Sequence, residues 1–131
     1  MPARTLSMLL VLTLGACAGP GLLPDWLSQD VAGPLPAHRF IIANRLKSII
    51  GDPDRAGTLE ISTPRRVTSL KGASWLVCIK IRKFPLLPRY YAAFIQRDQI
   101  VDSRLSVLID QCELQSFVPF DWAADANNPP L

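Results

Sequence analysis

The chain has 131 residues, of which 49% are apolar, and 14 Lys and Arg against 11 Asp and Glu give a formal net charge of +3. This length has room for one modest domain and excludes a second. The charge is too small and too scattered for a nucleic-acid-binding protein, which needs a dense basic face.

The amino terminus has the parts of an export signal. Arg4 supplies positive charge ahead of the apolar run at residues 6–14, which is too short to span a bilayer stably as a mature helix. The run closes with Leu14-Gly15-Ala16-Cys17. This sequence resembles the lipobox of bacterial lipoproteins, in which a branched apolar residue and two small residues precede a cysteine.

The resemblance implies that a signal peptidase removes residues 1–16, that diacylglycerol is joined to the sulfur of Cys17, and that the new amino group carries a fatty acyl chain such as palmitate. The mature protein would then be lipid-anchored in the cell envelope and would face the periplasm. Ala18 stands where enterobacterial lipoproteins of the inner membrane carry aspartate, which favours the outer membrane. An ordinary secretory signal with a chance cysteine remains the alternative.

Glycine and proline interrupt every regular pattern in residues 17–37, which we interpret as the lipidated cysteine followed by a flexible tether. Trp26 and Leu27 either pack on the domain or lie at the lipid interface.

Residues 38–50 show the clearest helical pattern of the chain. Ile42, Leu46, Ile49 and Ile50 form one apolar stripe, while Gly51 is suited to end the helix and Pro53 prevents its continuation. A helix with one apolar stripe requires a partner surface.

Alternating apolar residues indicate an antiparallel sheet as that surface. Three strands are predicted, at residues 75–81, 89–96 and 100–109, with a hairpin turn at 96–99 and candidate edge strands at 58–62 and 66–70. The predicted fold class is α+β, with one amphipathic helix packed on a small antiparallel meander. The domain is expected at residues 38–120, and residues 121–131 are expected to be a disordered tail.

Two cysteines remain once Cys17 is lipidated. Cys78 lies in a predicted strand and Cys112 follows the last one, so in an oxidising compartment we predict a disulfide between them. Two buried free thiols are the alternative. A catalytic or metal-binding pair is disfavoured because the chain has no Cys-x-x-Cys spacing and only one histidine.

The folded part carries a tryptophan and a cysteine on one strand, an Arg-Asp hairpin and a late cysteine. These features lie at residues 75–81, 93–101, 110–112 and 117–120. In this respect the chain loosely resembles small uncharacterised lipoproteins of alphaproteobacteria over residues 40–120. The resemblance implies no established activity, but it supports the pairing of Cys78 with Cys112.

Catalytic patterns are missing from the sequence. His38, the only histidine, begins the predicted helix, where a surface histidine explains it better than a Ser-His-Asp triad does. No nucleophile elbow, phosphate-binding loop or His-Glu-x-x-His motif occurs. Asp98, Asp102 and Asp110 have no predicted cleft between them, and Asp102 and Arg104 either pair or face water. We therefore expect a protein that is not an enzyme and has no cofactor or metal.

An aromatic and basic segment is the candidate binding surface. Its predicted members are Arg89, Tyr90, Tyr91 and Phe94, next to Phe84, Pro85 and Pro88, with core packing as the alternative for some of them. The cations Lys80, Arg82, Lys83 and Arg89 either contact anionic lipid or glycan, or form a solvated sheet edge.

The sequence thus predicts a lipid-anchored envelope protein with a small non-catalytic structural or protein-docking domain. Its expected partners are the membrane, through the lipid, and an envelope protein, but not nucleic acid. A ligand-binding or inhibitory module that uses residues 84–94 is the alternative.

Overall fold

A computed structural model describes residues 30–131, in which a helix packs on a six-stranded antiparallel sheet. The helices are α1 (His38–Ile50), α2 (Pro53–Ala56) and α3 (Trp122–Ala126). The strands are β1 (Thr58–Ser62), β2 (Arg65–Ser69), β3 (Gly72–Arg82), β4 (Arg89–Gln96), β5 (Gln99–Leu105) and β6 (Phe117–Pro119), and short 3-10 turns occupy Leu108–Asp110 and Cys112–Leu114. The predicted α+β class is confirmed. The predicted signal peptide and Cys17 lie outside the described residues.

Strand β3 organises the sheet because it pairs with three other strands. The main strand order is β5-β4-β3-β1-β6, and β1 and β2 share the side of β3 that faces away from β4. At the junction between β1 and β2, the hydroxyl of Ser62 accepts a hydrogen bond of 2.8 Å from the backbone N–H of Cys78. This side chain supplies an acceptor where neither strand continues the ladder.

Two details of the predicted sheet are wrong. The strand at residues 58–62 is not an edge strand, because it lies between β3 and the unpredicted β6. The strand predicted to reach Ile109 ends at Leu105. The next segment turns under the sheet, where Asp110 accepts a hydrogen bond of 2.9 Å from the backbone N–H of Val107.

The larger core lies between α1 and the first face of the sheet. Ile42 and Leu46 of the predicted stripe are buried against strand residues such as Val77 and Ile79, and Ile49 and Ile50 pack at the margin. Burial of each such side chain contributes about 1.5–3 kcal/mol, so the apolar stripe of α1 explains why the helix docks on this face.

The second face carries a smaller core covered by residues 106–116. Leu76, Ala92 and Phe94 pack there around Cys78 and Cys112. These two cysteines form the predicted disulfide, with their Cα atoms 5.5 Å apart. The covering segment is therefore joined covalently to the central strand.

Part of the predicted tether belongs to the folded domain. Ala32 is fully buried, and its carbonyl accepts a hydrogen bond of 3.0 Å from the backbone N–H of Arg97. The indole N–H of Trp75 donates to the carbonyl of Gly33 at 3.1 Å. The domain consequently begins before residue 38, and residues 17–29 of the proposed tether lie outside the described part of the chain.

The predicted disordered tail at residues 121–131 is also wrong where α3 forms. Asp121 caps this helix by accepting a hydrogen bond of 3.2 Å from the backbone N–H of Ala124. Asp125 pairs with Arg39 of α1 at 2.8 Å, and Trp122 and Ala126 pack against the larger core. These contacts with a distant segment order the helix despite its length of five residues.

Within residues 30–131, no helix combines the length and apolar character needed to cross a membrane.

Candidate functional site

The four residues predicted as a binding surface do not share one face. Strand side chains alternate, so Tyr90 and Phe94 point to the second face while Tyr91 packs with the larger core beneath α1. Phe94 is 3% exposed, whereas Arg89 at the start of β4 is exposed. The single surface predicted for these four residues is therefore corrected, because they are divided between the two faces of the sheet and the exposed start of β4.

The predicted basic cluster is also divided. The ammonium of Lys80 lies on the second face, 5.3 Å from the ring centroid of Phe117, and Arg82 donates to Glu60 at 2.8 Å. Because β3 and β4 are internal strands, this cluster is not a sheet edge. Lys83 and Arg89 remain exposed, and neither forms an ion pair with any residue between 30 and 131.

The loop between β3 and β4, residues 83–88, exposes three large apolar side chains. Phe84 is 96% exposed, Leu86 66% and Leu87 86%. A hydrogen bond of 2.8 Å from the backbone N–H of Leu86 to the carbonyl of Lys83 closes a turn in this loop. Apolar side chains that protrude together indicate an interaction surface, whereas single exposed ones do not.

Cations flank the apolar residues of this β3–β4 loop in the sequence, and a further cation lies beside the loop in space. Lys83 precedes the apolar residues and Arg89 follows them, and the ammonium of Lys83 donates to the carbonyl of Arg55 at 3.1 Å. Arg55 itself is exposed and pairs with Asp52 at 3.4 Å. Residue types in the sequence predicted Phe84 and the cations as surface residues but not Leu86 and Leu87, although the position of these two between two prolines is a signal for an exposed turn.

A groove of about 680 Å³ lies on the second face, at the side not covered by the disulfide. Leu76 and Phe94 form part of its lining, and the exposed side chains of Leu70 and Ile109 stand at its rim. The guanidinium carbon of Arg104 lies 4.7 Å from the centroid of the Phe94 ring.

Arg104 is already paired within this groove. It contacts Asp102 at 3.3 Å and Asp110 at 2.8 Å, so of the two alternatives predicted for Asp102 and Arg104, pairing is present. Asp110 is 4% exposed and fixes the backbone before Cys112 by accepting a hydrogen bond from the backbone N–H of Val107. Two carboxylates therefore offset the charge of Arg104, and the groove is better suited to an apolar group than to an anion.

His38 lies at the start of α1, in a hollow that it shares with Arg39, Asp125 and residues 128–131. None of the residues that line this hollow carries a hydroxyl or a thiol, and Asp125 is engaged by Arg39. Within the described part of the chain, His38 thus has no nucleophile arranged beside it as in a Ser-His-Asp triad.

The pH dependence of stability provides a test of the environment of His38. Burial, reinforced by the nearby charge of Arg39, lowers the pKa of His38 below 6.5, although a hydrogen bond to the Pro36 backbone and the charge of Asp125 act in the opposite direction. The unfolded chain therefore takes up the proton first as the pH falls below about 6.5, and stability decreases towards the folded-state pKa.

We expect urea denaturation to show a loss of stability between pH 7.5 and pH 5.5 that is smaller in His38→Gln. The imidazole signals of this single histidine in an NMR titration should show a midpoint below 6.5. A midpoint above 6.5 would contradict the assignment.

No group of three or more His, Cys, Asp or Glu side chains suitable for a metal ion occurs within residues 30–131. No protein-family model matches the chain, and neither the curated proteins nor the solved structures include a significant match.

Proposed function

We propose that this protein is a lipid-anchored component of the bacterial cell envelope and that its small, non-catalytic domain has a structural or docking role at the membrane. The observation that carries the proposal is the sequence Leu14-Gly15-Ala16-Cys17 directly after a short apolar run. Lipid attached to Cys17 would hold the domain on the membrane, facing the periplasm, with the outer membrane favoured by Ala18.

Two features of the folded domain support this proposal. The disulfide between Cys78 and Cys112 suits a protein that matures in an oxidising compartment. The exposed apolar side chains of the β3–β4 loop offer a contact surface for another envelope component. Because one acyl chain binds a membrane only marginally, the two or three chains of a mature lipoprotein are needed for permanent attachment.

The proposal is tested by producing the full chain in a bacterium with two membranes and replacing the cysteine by Cys17→Ser. We expect the wild-type protein in the membrane fraction, with an intact mass that lacks residues 1–16 and includes a diacylglycerol and an acyl group. Cys17→Ser should lose this added mass, and the lipidated membrane-bound form should disappear.

The neighbouring substitution Ala18→Ser is the matched control, because it leaves the four lipobox residues intact and should keep the lipid. An unmodified Cys17 in a wild-type chain that still carries residues 1–16 would overturn the proposal.

A further inference from the structure

We propose that the β3–β4 loop inserts its apolar side chains into the surface of an anionic bilayer and so gives the domain a second contact with the membrane. This inference deepens the proposed docking role by naming the partner as anionic lipid. It does not require the lipid on Cys17, so the two proposals can fail separately.

The first argument is the combination of apolar side chains and cations in one short loop. Phe84, Leu86 and Leu87 are each at least 66% exposed, and Lys83 and Arg89 stand on either side of them. Apolar side chains partition into the boundary between headgroups and acyl chains, while cations beside them attract anionic headgroups. The loop carries both components within seven residues, from position 83 to position 89.

Neither of the two flanking cations is neutralised by a carboxylate in the described part of the chain, and the hydrogen bond of the Lys83 ammonium to the carbonyl of Arg55 leaves its charge in place. Lys83 and Arg89 form no ion pair within residues 30–131, and Arg55 is exposed beside the loop. The acidic neighbour Asp52 contacts Arg55 at 3.4 Å, and Glu60 is held by Arg82 at 2.8 Å. Lys83 and Arg89, which bracket the apolar residues, therefore have no carboxylate partner between residues 30 and 131.

The shape of the loop favours a lipid surface as its partner over another protein or a small ligand. The loop protrudes from the end of β3, and the hollow beneath Leu86 and Leu87 has a volume of only about 90 Å³. Ligand pockets usually enclose about 300–1,000 Å³, and protein hot spots fill well-packed pockets. A bilayer requires neither, because it accepts protruding apolar groups from a convex surface.

The geometry of the domain allows this contact in an anchored protein. The described chain enters at the opposite end of the sheet, where Asp30 contacts Arg66 and Gly33 contacts Trp75. Strand β3 has eleven residues, and at about 3.3 Å per residue its length is about 36 Å. The 13 residue-to-residue steps from Cys17 to Asp30 have a maximum span of about 45 Å. A domain lying along the membrane can thus place both its anchor and its β3–β4 loop on one bilayer.

The test places an environment-sensitive fluorophore on the loop of the full chain. In a Cys17→Ser chain with the disulfide formed, Leu87→Cys supplies the only free thiol, because the chain has three cysteines. We expect the emission of the label to shift to the blue with phosphatidylglycerol–phosphatidylcholine vesicles and much less with phosphatidylcholine vesicles alone.

Leu70→Cys, labelled in the same way, is the matched control. Leu70 is also fully exposed but lies in the turn between β2 and β3, at the end where the described chain enters. Insertion of the amino-terminal segment alone would affect position 70 at least as much as position 87. A shift that is absent at position 87, or equal at both positions, overturns the proposal.

Charge variants test the cation component separately. The double variant Lys83→Gln, Arg89→Gln should lower the affinity for anionic vesicles, measured by the label at position 87, by roughly 30-fold. This estimate follows from about 1 kcal/mol per cation near such a surface. The charge-matched double variant Arg45→Gln, Lys71→Gln, whose residues are exposed elsewhere on the domain, should retain most of the response. Equal weakening in both double variants would show a general charge effect and would overturn the assignment to this loop.

Discussion

Simultaneous replacement of Cys78 and Cys112 by alanine is expected to lower the free energy of unfolding by about 4 kcal/mol. The two cysteines are 34 residues apart, and the chain-entropy model gives this magnitude for a closed loop of that size. The loss is a large fraction of the stability of a small domain. Urea denaturation of the oxidised wild type and of the double variant measures the difference.

The loss of stability should be concentrated in one segment, residues 106–116. Residues 106–116 form short 3-10 turns with largely exposed apolar side chains such as Leu108 and Leu114, so the disulfide is a main connection between this segment and the sheet. We expect backbone amides of this segment to lose protection from hydrogen exchange while those of β3 and α1 keep it.

Reduced wild-type protein is the control for the cysteine substitutions, because it keeps both side chains and lacks only the covalent bond. It should lose nearly as much stability as the double variant. A loss below about 1 kcal/mol in both would contradict the structural role assigned to the disulfide. So would quantitative thiol labelling of Cys78 and Cys112 without reductant.

Patterns in the local sequence correctly predicted the elements whose apolar residues recur on one face or whose turn residues are adjacent in the chain. Helix α1 has the predicted bounds because its apolar residues recur at helical spacing and Gly51 and Pro53 follow it. The hairpin between β4 and β5 was equally readable, since Arg97 and Asp98 occupy its two turn positions.

The missed elements depend on contacts that sequence periodicity does not contain. Strand β6 has three residues, includes a proline and exists through its pairing with β1. Helix α3 is ordered by Asp125 and Arg39, which are 86 residues apart. Strand β5 ends early although apolar alternation continues to Ile109, because Asp110 holds the following turn.

The candidate surface illustrates the same limit. Residue types identified the aromatic and basic segment, but alternation along β4 places Tyr90 and Tyr91 on opposite faces. The apolar side chains that are exposed belong to the β3–β4 loop, where Pro85 and Pro88 interrupt the strand pattern on either side of Leu86 and Leu87. Which apolar residues are buried depends on where the strands end, and strand ends are set by tertiary pairing.

Gly57→Ala is expected to lower the free energy of unfolding by about 3–4 kcal/mol. This is the largest effect that we expect from a single glycine substitution at the end of the sheet that carries the β3–β4 loop. Gly57 has φ 115° and ψ −151°, a conformation that residues with a side chain rarely adopt, at a cost of about 1–3 kcal/mol. An added Cβ would in addition overlap the backbone carbonyl oxygen of Arg82 and lie 3.0 Å from the Cβ of Lys83. Relief of that overlap requires the end of β3 to move, which adds to the backbone cost.

Gly51→Ala separates the cost of the backbone conformation from the cost of the overlap with Arg82. Gly51 also has a positive φ, of 89°, but an added Cβ there meets no atom within 4 Å. Its loss should be limited to about 1–2 kcal/mol of backbone strain, and chemical denaturation of both variants gives the comparison. Equal losses would show that the contact with Arg82 is unimportant.

Because Gly57 packs against the residues that lead into the β3–β4 loop, Gly57→Ala should also weaken the vesicle response of a label at position 87, whereas Gly51→Ala should leave it unchanged.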